Sequence, residues 1–122
     1  MSDCAIVRYH GDTWELSVAV TDNLGAIVSL VGAELVFRLE TKSDTVTDFY
    51  FSDPVGLIAN TAGITIVRNN ALGTFTLTLT DVLMATLDID TQYQWDITMT
   101  NAAGIVLTLV VGTLAVEEKA ID

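Results

Sequence analysis
The chain predicts an all-β sandwich of two antiparallel sheets, and three observations carry that expectation. Apolar and polar residues alternate with period two in four separate segments. Turn-forming residues separate these segments at short spacing, and a single stretch has a helical pattern. The composition is that of a folded protein: of 122 residues, 51 % are hydrophobic, 17 % are charged and one is Pro. Chains that stay unfolded lack the apolar surface needed to offset the entropy of ordering.

The four clear strands come first. In Asp12 to Thr21, Trp14, Leu16, Val18 and Val20 share a face opposite Glu15, Ser17 and Thr21. Asp22-Asn23-Leu24-Gly25 then supplies turn chemistry. Between Glu34 and Glu40, Leu35, Phe37 and Leu39 oppose Glu34, Arg38 and Glu40. Phe75, Leu77 and Leu79 alternate with four threonines, and Tyr93, Trp95, Ile97 and Met99 alternate with Gln92, Gln94, Asp96, Thr98 and Thr100. One polar face per strand means antiparallel sheets; strands of a parallel sheet are buried on both faces.

Weaker strands complete the set. Ala5 to Tyr9 predicts an edge strand, and Thr47 to Phe51 a short one stopped by Asp53-Pro54. Ile64 to Arg68 leads through a five-residue loop, Asn69 to Gly73, into the threonine-faced strand as a hairpin. In the last strand, Ile105 to Val116, the inward set is Leu107, Leu109 and Val111 and then Leu114 and Val116, which predicts a bulge near Gly112 and Thr113. Residues 81–87 predict one short helical turn, with Asp81 as N-cap and Val82, Leu83 and Leu87 on one face. Seven to eight short strands in one domain, 1–122, predict an immunoglobulin-like β-sandwich.

Charge and length exclude several functions. Sixteen acidic residues against five basic ones give a net charge of -11. Arg8, Arg38, Arg68, Lys42 and Lys119 are scattered, so no phosphate-neutralising patch forms and no nucleic-acid partner is expected. Met1 to Arg8 has neither a basic n-region nor an apolar core, so no signal peptide is expected. The most apolar stretch, Ala102 to Val116, falls short of the roughly 20 residues of a spanning helix and is interrupted by Gly and Thr. No membrane partner is expected, and synthesis in a cytoplasm is. Cys4 is the only cysteine, so no internal disulfide forms.

The candidates for chemistry are few. His10 and Cys4 supply two ligands where zinc takes three or four protein ligands, and the sequence offers no triad. Asp88 and Asp90, and Asp44, Asp48 and Asp53, are loop acids of the kind that ligate calcium, but no calcium-loop pattern contains them. Phosphate-binding glycine loops, nucleophile elbows and paired-histidine zinc motifs are absent. We therefore expect no enzyme, no cofactor and no catalytic or metal residue. Trp14 and Trp95 fall on inward phases, which predicts core packing over a sugar-stacking platform.

Contact with other proteins leaves clearer signals. Phe49, Tyr50 and Phe51 cannot all face inward, so Tyr50 is expected outside. Val106 and Val110 occupy positions, beside Thr108, where the other strands place Thr, Gln or Asp. With a mean hydropathy of +0.51, these three residues are the expected partner contacts.

In its order of segments the chain resembles the immunoglobulin-like domains of phage tail and baseplate proteins, similar to the N-terminal domain of the baseplate upper protein. The resemblance rests on His10-Gly11-Asp12-Thr13-Trp14-Glu15-Leu16, Leu30-Val31-Gly32-Ala33, Val36-Phe37-Arg38-Leu39 and Gly63-Ile64-Thr65-Ile66. Phe75 to Leu87, Tyr93 to Ile97, Gly104 and Gly112 to Val116 continue it. It implies a non-enzymatic virion structural protein, an adaptor in the tail, baseplate or fibre region that binds neighbouring virion proteins. No family catalytic residues carry over. The family domain often opens a longer chain, and here a small stand-alone protein is expected. A capsid decoration protein is the alternative within that class, and a carbohydrate-binding module the alternative outside it. Further copies of the chain stand beside the virion proteins as partners, since screening at physiological salt lets it pack against itself, and the oligomeric state is left open.

Overall fold
The computed structural model describes residues 3–9, 11–41, 47–54, 56, 59–89 and 91–117, and of 3–9, 47 and 48 the backbone only. Among the described residues eight strands follow one another: β1 Asp3–Tyr9, β2 Trp14–Ala19, β3 Glu34–Thr41, β4 Thr47–Asp53, β5 Ile64–Asn69, β6 Thr74–Leu79, β7 Gln92–Thr100 and β8 Val106–Glu117. A single helical turn, α1 Asp81–Met84, lies between β6 and β7. One sheet has the order β1-β8-β7-β3-β4 and the other β2-β6-β5. Every pairing is antiparallel except β1 with β8. This is the strand order of an immunoglobulin-like sandwich, with β8, β7 and β3 as the central strands of the larger sheet.

The alternation places the core. Trp14, Phe37, Phe75, Leu77, Tyr93, Trp95 and Ile97 are buried between the sheets. Leu16, expected with them, is half-buried, as is Val18, because β2 is an edge strand with a neighbour on one side only. The hairpin between β5 and β6 pairs Asn69 with Thr74, so its loop has four residues and not five.

Four expectations are corrected. The N-cap of α1 is Thr80, whose hydroxyl accepts from the Leu83 amide; Asp81 is the first helical residue. Leu83, Met84 and Leu87 are buried from this turn, while Val82 faces solvent. The bulge in β8 is not at Gly112. Ile97 pairs with Val110 and Thr98 with Thr108, which leaves Leu109 as the extra residue. Strand phase therefore inverts at Leu109, three residues before Gly112. Val110 shares the face of buried Ile97 and packs partly buried against the core, so it is not an outward residue.

A tyrosine corner closes the turn before β7. The Tyr93 ring is buried, and its hydroxyl accepts from the Asp88 amide at 2.9 Å. This is the contact that fixes the corner in sandwiches of this type.

Candidate interaction surface
The register brings three connections to one end of the sandwich. Ala19 pairs with Thr74, and Glu34 with Thr100, which in turn pairs with Val106. Segments 20–33, 70–73 and 101–105 therefore cluster there. Hydrogen bonds tie the first two together: the Leu30 amide donates to the Asn70 carbonyl, and the Val20 amide to that of Gly73. Gly32 lies against Ala102, and a Cβ added to it would come within 3.1 Å of the Ala102 methyl.

Arg68 anchors this end from beneath. It pairs with Phe75, at an inward position of β5. Its guanidinium donates to the carbonyls of Leu30 at 2.6 Å, Ala33 at 2.8 Å and Asp53 at 3.1 Å, and it pairs with the Asp53 carboxylate. Its Nε donates to Asn70. One cation thus supplies the donors for carbonyls that leave the strand ladders. The Asp22 carboxylate does the complementary task at the loop tip, accepting from the amides of Leu24 and Ala26.

The anchored loops present apolar side chains to solvent. Leu24 is 93 % exposed and Val106 65 %, and Ile27, Val31, Leu72, Ile105 and Leu107 are exposed around them. Asp22 is the only charged residue in the three loops, in a chain carrying sixteen acids. Solvated connections are ordinarily polar, so an apolar end with a single charge is the surface feature that most demands a partner. Sequence reasoning found Val106 and missed the rest. The available signal was apolar residues inside turn segments, as at Leu24, Leu72 and Ile105.

Tyr50 lies elsewhere. It faces away from Phe49, as expected, and stands opposite Arg38 on the outer face of the larger sheet. It is half-buried, and its backbone exchanges bonds with Thr61. Next to Arg38, Asp96 accepts an ion pair at 3.3 Å, and a shallow hollow of about 350 Å³ lies between Glu40, Gln94, Asp96, Val111 and Thr113. Tyr50 and Val106 thus belong to different surfaces, and Val110 to neither.

Among the described residues the candidates for chemistry do not converge. His10, Asp44 and Asp90 lie outside the described residues, as do the side chains of Cys4 and Asp48. Asp53 is held by Arg68, and the Asp88 backbone by Tyr93. Among the described residues no group of three or more His, Cys, Asp or Glu is placed to hold a metal ion. Both tryptophans are core, so neither forms a sugar platform. No helix among the described residues is long and apolar enough to cross a membrane. No family model and no curated protein matches the chain.

Proposed function
We propose that the chain is a non-enzymatic structural module of a phage virion, an adaptor in the tail, baseplate or fibre region that docks a neighbouring virion protein through its apolar loop end. The observation that carries this reading is the gathering of exposed Leu24, Ile27, Val31, Leu72 and Ile105 on three neighbouring loops with one charge among them, beside exposed Val106 and Leu107 at the start of β8. A specific contact removes about 800 Å² per partner, centred on a few large side chains. Loops held by Arg68 and Asp22 are ordered before binding, which lowers the entropy lost on docking. The resemblance of its segment order to phage tail domains supports the virion setting, with synthesis in the bacterial host cytoplasm.

The test is quantitative protein analysis of purified particles. We expect the chain in them at a low copy number, matching a tail component. A copy number near that of the capsid protein assigns it to head decoration instead, and its absence from particles overturns the reading. A Leu24→Asp/Ile105→Asp variant of unchanged stability is expected to fail to incorporate.

A further inference from the structure
We propose that two copies of this chain pair antiparallel through the free edges of β2, centred on Ser17, and form one continuous six-stranded sheet. In constant-type immunoglobulin sandwiches the sheet that corresponds to β2-β6-β5 has a fourth strand, the first of the chain, beside the equivalent of β2. Here the first strand pairs with β8 in the other sheet, so among the described residues that place is left open.

The backbone of the edge is ready for a strand. The Val20 amide donates to the Gly73 carbonyl, on the β6 side. With period two, Val18, Leu16 and Trp14 also direct their backbone groups at β6, and Glu15, Ser17 and Ala19 direct theirs outward. No described residue pairs with this edge. The opposite case is β4, whose edge is covered by Thr61 on Tyr50 and by Asn60 on Ser52. Edges left open are ordinarily blunted by Pro, Lys or a bulge, and β2 has none of these.

The side chains select a second copy as the occupant. With Ser17 opposite its counterpart on the two-fold axis, Glu15 faces Ala19 of the second copy and Leu16 faces Val18. Leu16 and Val18, half-exposed on the inner face, then cover one another. The only charge on the strand meets a small neutral side chain, and the Glu15 carboxylate already leans toward Thr78 within its own sheet. Ser17, Glu15 and Ala19 fall at hydrogen-bonded positions, where each pair exchanges both backbone bonds. The antiparallel arrangement points the two loop ends in opposite directions, so a dimer is a two-ended connector.

Two chains of net charge -11 repel, so association should strengthen with salt, as the screening length falls from about 10 Å at 0.1 M to 3 Å at 1 M. The experiment is sedimentation equilibrium of the purified chain across concentration and salt. Wild type and Ser17→Ala should dimerise, and more tightly at high salt; Ser17→Pro, which removes an amide facing the open edge, should be monomeric with an unchanged β circular-dichroism spectrum. As a second readout in a Cys4→Ser background, Ser17→Cys should form an oxidised dimer, since opposed residues at such positions lie about 5.5 Å apart between Cα atoms, within disulfide reach. Ala19→Cys, opposite Glu15, should not. A monomer at every concentration and salt overturns the proposal, as does a dimer that survives Ser17→Pro or cross-links equally through Ala19→Cys. Particle incorporation of Ser17→Pro is read separately, because the loop end is intact in that variant.

Discussion

Trp14 on β2 and Trp95 on β7 meet edge to face across the two sheets, with ring centroids 5.2 Å apart and planes at 72°. Trp95 follows the corner tyrosine, Tyr93, by two residues. In antibody domains that position carries the second cysteine of the inter-sheet disulfide. A chain whose only cysteine is Cys4 fills the same place with an aromatic pair, and Phe37 joins it at 5.9 Å from Trp14. Burial of rings and about 0.5–1.5 kcal/mol of edge-to-face attraction replace the covalent link.

The two tryptophans are not equivalent. The Trp95 indole N–H donates to the Thr113 carbonyl at 3.2 Å, whereas that of Trp14 finds no partner among the described residues. Either Trp→Ala change should cost about 3–5 kcal/mol, a large part of a typical ~5–15 kcal/mol stability. Trp95→Phe should cost more than Trp14→Phe, by about 1 kcal/mol, because it alone breaks a hydrogen bond. Urea unfolding of the four variants measures both differences; equal costs for the two Phe variants refute the asymmetry.

Much of this core was legible in the sequence, because β3, β6 and β7 each have one polar face and the phase of alternation identifies the other. In β8 the phase was illegible. Leu107, Leu109, Val110 and Val111 are apolar on both sides of the strand, so composition does not locate the extra residue, and Gly112 drew the bulge away from Leu109. The loop end was hidden for another reason. Leu24, Leu72 and Ile105 are far apart in the chain, and only the register of β2, β6, β3 and β7 brings them together.

Tyr93→Phe isolates the corner. It removes the hydroxyl that accepts from the Asp88 amide and leaves the ring in place. We expect a loss of about 0.5–1.5 kcal/mol and faster amide exchange at Asp88, with the core unchanged. Hydrogen exchange followed by NMR checks it; unchanged protection at Asp88 contradicts the corner's role.

Arg68→Met should cost more than its length suggests. It retains much of the aliphatic stem but takes the guanidinium donors from the carbonyls of Leu30, Ala33 and Asp53, and that of Leu30 keeps only the Ala33 amide. A loss of about 2–4 kcal/mol is expected from hydrogen bonds to a charged group that is mostly buried. Arg68→Lys should recover little, because one ammonium cannot reproduce the planar fork that spans these oxygens. Chemical denaturation of both variants decides this, and full rescue by Lys speaks against the clamp.

Val106 and Val110 are four residues apart and should respond oppositely to the same change. Val106 pairs with Thr100 on the outward face and is exposed, so Val106→Lys should alter stability by no more than about 0.5 kcal/mol. Val110 pairs with Ile97 beyond the bulge and packs against the core, so a lysine there carries its charge toward apolar neighbours. Val110→Lys should cost about 1–3 kcal/mol, reduced by whatever length of its stem reaches water. Thermal unfolding of the purified variants reads the difference directly. Particle incorporation should show the reverse emphasis: Val106→Lys, stably folded, should dock poorly, because its ammonium is desolvated against the partner without a counter-charge. Equal stability of the two variants would place the bulge elsewhere, and normal incorporation of Val106→Lys would remove this residue from the docking surface.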